Sequence, residues 1–311
     1  MTKPAFKLER VTRRDKRNTA LDQFSLSQPV ASILGLVGLP DSGKSTVIHL
    51  LAGLDKPTAG LLSVLEGSPL QASIREQIGV SLRPELLDPA LTCHVTLVEF
   101  SRLKGFSQEV SRQLSEQLLD DLKLASDTAT LVGELSTSSR QLLCASTALI
   151  GEPEILLFDD TLDDLNKADE SILADILRDR ASQGCTAVIA SRAVAIPEDL
   201  CDDIALLHQG TLLGKGTPRE ICSNLRGLLF KYWIGGDHTE GLDWEGVTTR
   251  FAETCTEVLA GHDIADRLAL HCGGSPITEI NPTLEEACNW ILRHPKSIAA
   301  RSKLWGQDSP N

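Results

Sequence analysis

Residues 38–46 read GLPDSGKST, preceded by the apolar run SILGLVG and followed by VIHLLAGL. Gly38 and Gly43, with Lys44 and Ser45 directly after, complete the pattern Gly-x-x-x-x-Gly-Lys-Ser of a phosphate-cradling loop between a strand and a helix. The physical reasons for the pattern are local. Glycines let backbone N–H groups close around phosphate oxygens, and the N-terminus of the following helix adds a favourable field. Lys44 is placed to reach the β- and γ-phosphates and Ser45 to ligate Mg2+. Asp41 is the unexpected member, because it sets an acid beside the phosphates.

Such a loop demands an α/β setting, and the chain supplies one. Apolar strand-like runs IGVSL (78–82), EILLF (154–158) and TAVIAS (186–191) alternate with helical stretches at 44–54, 92–123, 139–150 and 167–183. This alternation predicts a largely parallel sheet with covering helices. DDIALLHQGTLLGKGTP predicts two short strands joined as a hairpin at His-Gln-Gly. All four tryptophans and the only tyrosine, Tyr232, lie after residue 230. The boundaries expected are therefore 1–224 for the α/β domain, 225–295 for a small α+β domain and 296–311 for a polar tail. Within the second, LLFKYWIG predicts a strand and TLEEACNWILR an amphipathic helix, capped by Thr283 with Glu286 three residues on.

A formal charge of −13 argues against nucleic acid or an anionic lipid surface as the main partner. Residues 1–18 are an exception, with seven basic side chains against two acidic ones, and are expected to form a solvated strand face. The eight cysteines show no CxxC spacing and several sit in apolar runs, as small buried hydrophobes do in a reducing cytosol. No run of about 18 apolar residues occurs, so no direct membrane insertion is expected.

Three rival chemistries are weaker. NKAD at 166–169 mimics a guanine-reading motif, but no Asp stands three residues before a Gly between Ser45 and Asn166. The histidines lack metal-ligand spacing. Asp159, Asp160, Asp163 and Asp164 follow EILLF, where an Mg-holding acid at a strand end and a solvated loop account for them better than a separate metal site does.

LLAGLDKPTAG (50–60), GELSTSSRQLL (133–143), EPEILLFDD (152–160) and LCDDIALLHQGTLLGKGTPREI (200–221) resemble, in order and spacing, the ATP-binding subunit of ABC transporters. The resemblance covers about residues 5–222. NPTLEEACNWIL (281–292) resembles the appended regulatory domain of the drug-exporter and gliding-motility subfamilies. It implies a P-loop NTPase of ABC type: a RecA-like core with an antiparallel β subdomain and a helical signature subdomain, followed by the small α+β domain. ATP and Mg2+ are the implied ligands. A transmembrane permease subunit and a second ATP-binding subunit, identical or not, are the implied partners, at the cytoplasmic face of the membrane.

The resemblance carries site roles onto Gly38, Leu39, Pro40, Asp41, Ser42, Gly43, Lys44, Ser45 and Thr46 for the phosphates, and onto Ser45 and Asp159 for Mg2+ through water. Elsewhere the chain departs from the family. Asp15 stands at the adenine-stacking aromatic and offers no π-face. Arg83 stands at the Q-loop glutamine. The signature LSGGQ reads Leu135-Ser136-Thr137-Ser138-Ser139, which keeps Ser136 but loses both glycines; Thr137 and Ser138 are expected to crowd the space where backbone N–H groups approach phosphate. Asp160 replaces the catalytic Glu, one methylene shorter, and a base must come within about 2.6–3.2 Å of its proton. Asn166 takes the D-loop Asp position and Arg192 the switch histidine. The expectation is Mg-ATP binding with weak or absent hydrolysis. Two functional classes fit: an energy-coupling subunit of an exporter, or a nucleotide-binding pseudoenzyme that scaffolds or regulates a membrane complex.

Overall fold

The computed structural model describes residues 3–15, 18–81, 83–161, 163–191, 199–224, 229–235, 242, 244, 247–252, 255–261, 265–272, 277–280 and 283–293. Arg192 and the segment 296–311 lie outside them. The described chain divides into two compact units, one ending at Lys215 and one beginning at Gly216.

The first unit opens with β1 (Pro4–Asp15), β2 (Asn18–Pro29), β3 (Ile33–Gly38), α1 (Lys44–Leu51) and β4 (Ala59–Val64). It continues with α2 (Ala72–Arg75), β5 (Ile78–Ser81), α3 (Cys93–Leu103), α4 (Gln108–Asp121) and α5 (Thr137–Leu149). The remaining elements are β6 (Ile155–Asp159), α6 (Lys167–Ser182), β7 (Thr186–Ser191), β8 (Asp203–His208) and β9 (Thr211–Gly216). Six strands form one sheet in the order β5-β6-β7-β3-β8-β9, and β2-β1-β4 form a second. From β5 through β8 the neighbouring pairs of the large sheet are parallel. Every residue of β3, β6 and β7 is buried. Their apolar runs are unbroken because both faces of a parallel sheet are covered.

The small sheet is antiparallel. Its Phe6 and Phe24 join Leu34 and Leu36 of β3 and Val47 and Ile48 of α1 in one apolar core. β1 does not alternate cleanly, because bulges interrupt its pairing between Leu8 and Val11 and beyond. A bulge adds an unpaired residue and re-aims those after it.

Helix starts follow their caps. Thr92 and Ser107 cap α3 and α4 by accepting from the amides of Val95 and Val110. α5 begins at Thr137, two residues before the position expected from pattern, because the Ser136 side chain accepts from Ser139 N and sets the first turn. β8 and β9 form the expected hairpin, turning at Gln209 and Gly210 with φ of 47° and 76°, the positive pair that a tight right-twisted hairpin needs.

The second unit holds α7 (Pro218–Asn224), β10 (Leu229–Gly235), β11 (Thr248–Ala252), β12 (Cys255–Gly261), α8 (Ala265–His271), β13 (Ile277–Ile280) and α9 (Leu284–Arg293). Its sheet runs β11-β12-β10-β13, antiparallel throughout. Tyr232, Ile234, Val258, Ala260, Leu268 and Cys272 form its core. The capping box at α9 is present: Thr283 N donates to Glu286 Oε2 at 2.8 Å and Glu286 N to Thr283 Oγ1 at 3.3 Å. The same carboxylate meets Lys231 Nζ at 2.5 Å, tying α9 to β10.

Cys93, Cys144, Cys185, Cys201, Cys272 and Cys288 are buried thiols, and Cys222 is a half-buried one. Burial pushes the Cys93 and Cys185 thiols up to about 11 and that of Cys288 to about 12. Thiolates at these sites are scarce at pH 8, since desolvation disfavours the charged form. In the native protein at pH 8, iodoacetamide is expected to label Cys222 before Cys93, Cys185 and Cys288, which should react only on unfolding. Mass-spectrometric peptide mapping checks this, and rapid native labelling of Cys185 would contradict the packing described.

Candidate functional site

The parallel strands β3, β6 and β7 end together. Val37 lies opposite Ser191 and Asp159 opposite Ala190 in the ladder, so Gly38, Asp159 and Ser191 share one edge of the sheet. Ligands of open α/β sheets sit at that carboxyl edge.

Gly38 ends β3 where a side chain has no room. A Cβ there would stand 2.3 Å from Ser42 Oγ and 2.7 Å from the carbonyl oxygen of Leu207. Gly43 has φ of 105° and packs against β2, where a Cβ would meet Ala20 O at 2.8 Å. It is the N-cap of α1 and supplies no side-chain cap, which leaves the first amides of α1 for another acceptor. Asp41 is exposed and has φ of 61°, in the left-handed region. A non-glycine residue there costs about 1–2 kcal/mol, though aspartate tolerates it better than most.

Lys44 is buried, its Nζ donating to Gly38 O at 2.7 Å and Leu39 O at 3.2 Å. Ser42 Oγ is buried with no hydrogen-bond partner. From the first turn of α1, Ser45 Oγ donates to Asp159 Oδ1 at 3.0 Å. Thr46 follows on the same turn. The loop thus offers a cradle that any Cβ would fill, an ammonium at its mouth, an orphaned buried hydroxyl and a hydroxyl–carboxylate pair. These groups fit a polyphosphate with Mg2+, a hard cation that prefers oxygen ligands and keeps several waters.

Asp159 is buried and Asp160 exposed. Asp160 has φ of 52°, its N–H donating to Ala190 O at 2.9 Å. The strand therefore turns sharply between the two carboxylates and points them differently. Further along, Ser191 Oγ donates to Asp163 Oδ1 in a short contact, joining the end of β7 to this loop. Among the described residues no three His, Cys, Asp or Glu side chains converge as metal ligands.

The remaining sequence-derived candidates lie on other elements. Arg83 is exposed and opens the 3-10 turn Pro84–Leu86. The hydroxyl of Ser136 is occupied locally, accepting from Ser139 N at 3.0 Å and donating to Ser139 Oγ at 2.9 Å. Neither is hydrogen-bonded to the loop of Gly38–Gly43 among the described residues. Asp15 ends β1 on the surface, opposite Asn18. Arg192 lies outside the described residues.

Ser138 departs from the expectation of crowding. Its side chain turns inward, is buried, and bonds to Asn166 and Asp169 at the start of α6. Gln141, one turn later on α5, reaches Asp160 O with its amide at 3.5 Å. Neither role is visible in sequence, since residue type does not show which way a side chain on a helix's first turns will point.

Residues 21–163 match the family described as ABC transporter. The Nod factor export ATP-binding protein I of Burkholderia orbicola is 30% identical over 201 residues, which span 64% of this chain and 66% of that one. A protein of the same name from Rhizobium sp. (strain N33) is 28% identical over 243 residues, or 77% of this chain and 80% of the relative. Among solved structures, an ATP-binding subunit of an ABC transporter superposes with a TM-score of 0.64 at 20% identity, covering 71% of this chain and 93% of that one. The cassette MJ0796, solved as a dimer in a post-hydrolysis state with ADP and Pi, gives 0.62 at 22% identity over 68% of this chain and 98% of its own. The fold is that of these cassettes, and the glycine cradle with its Ser45–Asp159 pair lies within the stretch that matches the ABC transporter family, whose ATP-binding domains bind Mg-ATP.

Proposed function

We propose that this chain is the ATP-binding subunit of an export-type ABC transporter complex, and that it grips Mg-ATP with little or no hydrolysis of its own. The observation that carries the binding half is the Ser45–Asp159 hydrogen bond at 3.0 Å beside the buried Lys44. Gly38–Thr46 would hold the phosphates, and Ser45 and Asp159 would hold Mg2+ through water. The metal would supply charge neutralisation at the phosphate oxygens. The export assignment rests on the relatives named for Nod factor export. It implies a separate transmembrane permease and a second ATP-binding subunit at the cytoplasmic side of the membrane. No helix among the described residues is long and apolar enough to cross a membrane. The unit after Gly216, expected over 225–295, would serve regulation or contact with partners.

Slow chemistry follows from the residues around the cradle. Asp160 is short for a base, exposed and on a left-handed turn. Arginine at 192 has no accessible neutral form to orient water as histidine does. The loss of a positioned acid–base group typically costs about 10²–10⁴-fold. The same substitutions favour, as the second reading, a nucleotide-binding pseudoenzyme that regulates a membrane complex.

Calorimetric titration with Mg-ATP tests the binding half. The unmodified chain should bind, and Lys44→Ala should weaken binding by on the order of 100-fold, the scale of a lost charge-assisted contact of about 1.5–3 kcal/mol. Equal affinity in the two proteins would refute the phosphate role of the loop.

Phosphate release under saturating Mg-ATP tests the other half. Turnover of the unmodified chain should be near background, and Asp160→Glu should raise it by on the order of 10²-fold. Rapid turnover by the unmodified chain would remove the case for weak hydrolysis. Its absence even with the permease present would select the pseudoenzyme.

A further inference from the structure

We infer that Ser138 and Gln141 are positioning residues: one face of α5 holds the segment 160–169 from both ends, so that Asp160 is carried by the first turns of α5. The two side chains are three residues apart and therefore share a face of the helix. Both are buried, at 8% and 3% exposure. Gln141 reaches the near end of the segment, its Nε2 lying 3.5 Å from Asp160 O, the outer limit of a hydrogen bond.

Ser138 holds the far end, and its hydroxyl is fully used there. It donates to Asp169 Oδ2 at 2.5 Å and accepts from Asn166 N and Asn166 Nδ2, each at 3.0 Å. A hydroxyl has one proton and two lone pairs, so nothing is left for a phosphate. Asn166 closes the ring by donating from Nδ2 to Asp169 Oδ2 at 2.8 Å, while its Oδ1 caps α6 by accepting from Ala168 N and Asp169 N. A glycine at 138 would make none of these bonds. The serine thus converts the start of α5 and the start of α6 into one hydrogen-bonded unit within a single subunit.

This inference rests on the proposed nucleotide role only for its consequence, which is that Asp160 responds to whatever α5 binds. The coupling itself can be read without nucleotide, by hydrogen–deuterium exchange on the full chain. In Ser138→Ala, peptides over 163–170 should exchange about 10-fold faster, the effect of losing roughly 1.4 kcal/mol of local protection, with peptides over 44–51 and 186–191 unchanged. Ser138→Thr, which keeps the hydroxyl, should stay near the unmodified rate. Asn166→Asp keeps an acceptor to cap α6 but loses the amide donor, and should loosen 134–142 as well as 163–170.

Mg-ATP adds a readout that a merely structural bond would not move. In the unmodified chain it should protect 134–142 and 163–170 together, and in Ser138→Ala the two segments should part. The inference is overturned if Ser138→Ala leaves 163–170 unchanged, if exchange rises uniformly along the chain, or if Ser138→Thr behaves like alanine. If Mg-ATP protects nothing, including 38–46, the nucleotide reading fails, and the nucleotide-free exchange still decides the coupling.

Discussion

Burial of β3 on both faces, with parallel neighbours on both sides, is the constraint that creates the site. A parallel strand cannot be reached by a tight hairpin, so the chain must cross over between neighbours through longer connections. Here those connections include α1, α5 and α6. The parallel strands then end at one edge, and the residues at and just past those ends meet without being close in sequence. Gly38, Asp159 and Ser191 come together for this reason, across a span of 153 positions. The loop chemistry sits on a frame whose cohesion is apolar and almost wholly buried.

Much of this was legible in the sequence, and the reasons differ by element. β3, β6 and β7 were legible because a strand covered on both faces must be apolar at every position, which leaves an unbroken run. The loop 38–46 was legible because its pattern, with glycine, lysine and serine at fixed places, is complete within nine residues. The capping box at Thr283 and Glu286 was legible because it is made within four residues. β1 was harder. Its bulges break the two-residue period, so the burial order along Pro4–Asp15 does not alternate, and only its basic character stood out.

The candidate site was legible in the loop 38–46 and its partner Asp159, and less so elsewhere. Sequence placed Ser45 and Asp159 in one role, and the structure brings them to 3.0 Å. Sequence also flagged Thr137 and Ser138 as intruders, but treated them alike. The structure separates them: Thr137 is exposed and Ser138 is turned inward. The difference lies in the helix itself. Successive residues on its first turn point about 100° apart, so one faces solvent while the next faces Asn166 and Asp169. The partners are 28 and 31 positions away, beyond any local pattern.

The contacts of Lys44 bear on how any anion is welcomed at the mouth of the loop. Its ammonium already rests on the carbonyl oxygens of Gly38 and Leu39. On the proposed nucleotide role, an arriving phosphate would not meet a bare cation in water; it would compete with these two carbonyl dipoles, among the groups around it, for one that is tucked away. Occupancy would therefore be an exchange of contacts, with the lysine drawn from its resting perch. A longer chain of phosphates would bring more contacts to complete that swap than a small anion such as sulfate.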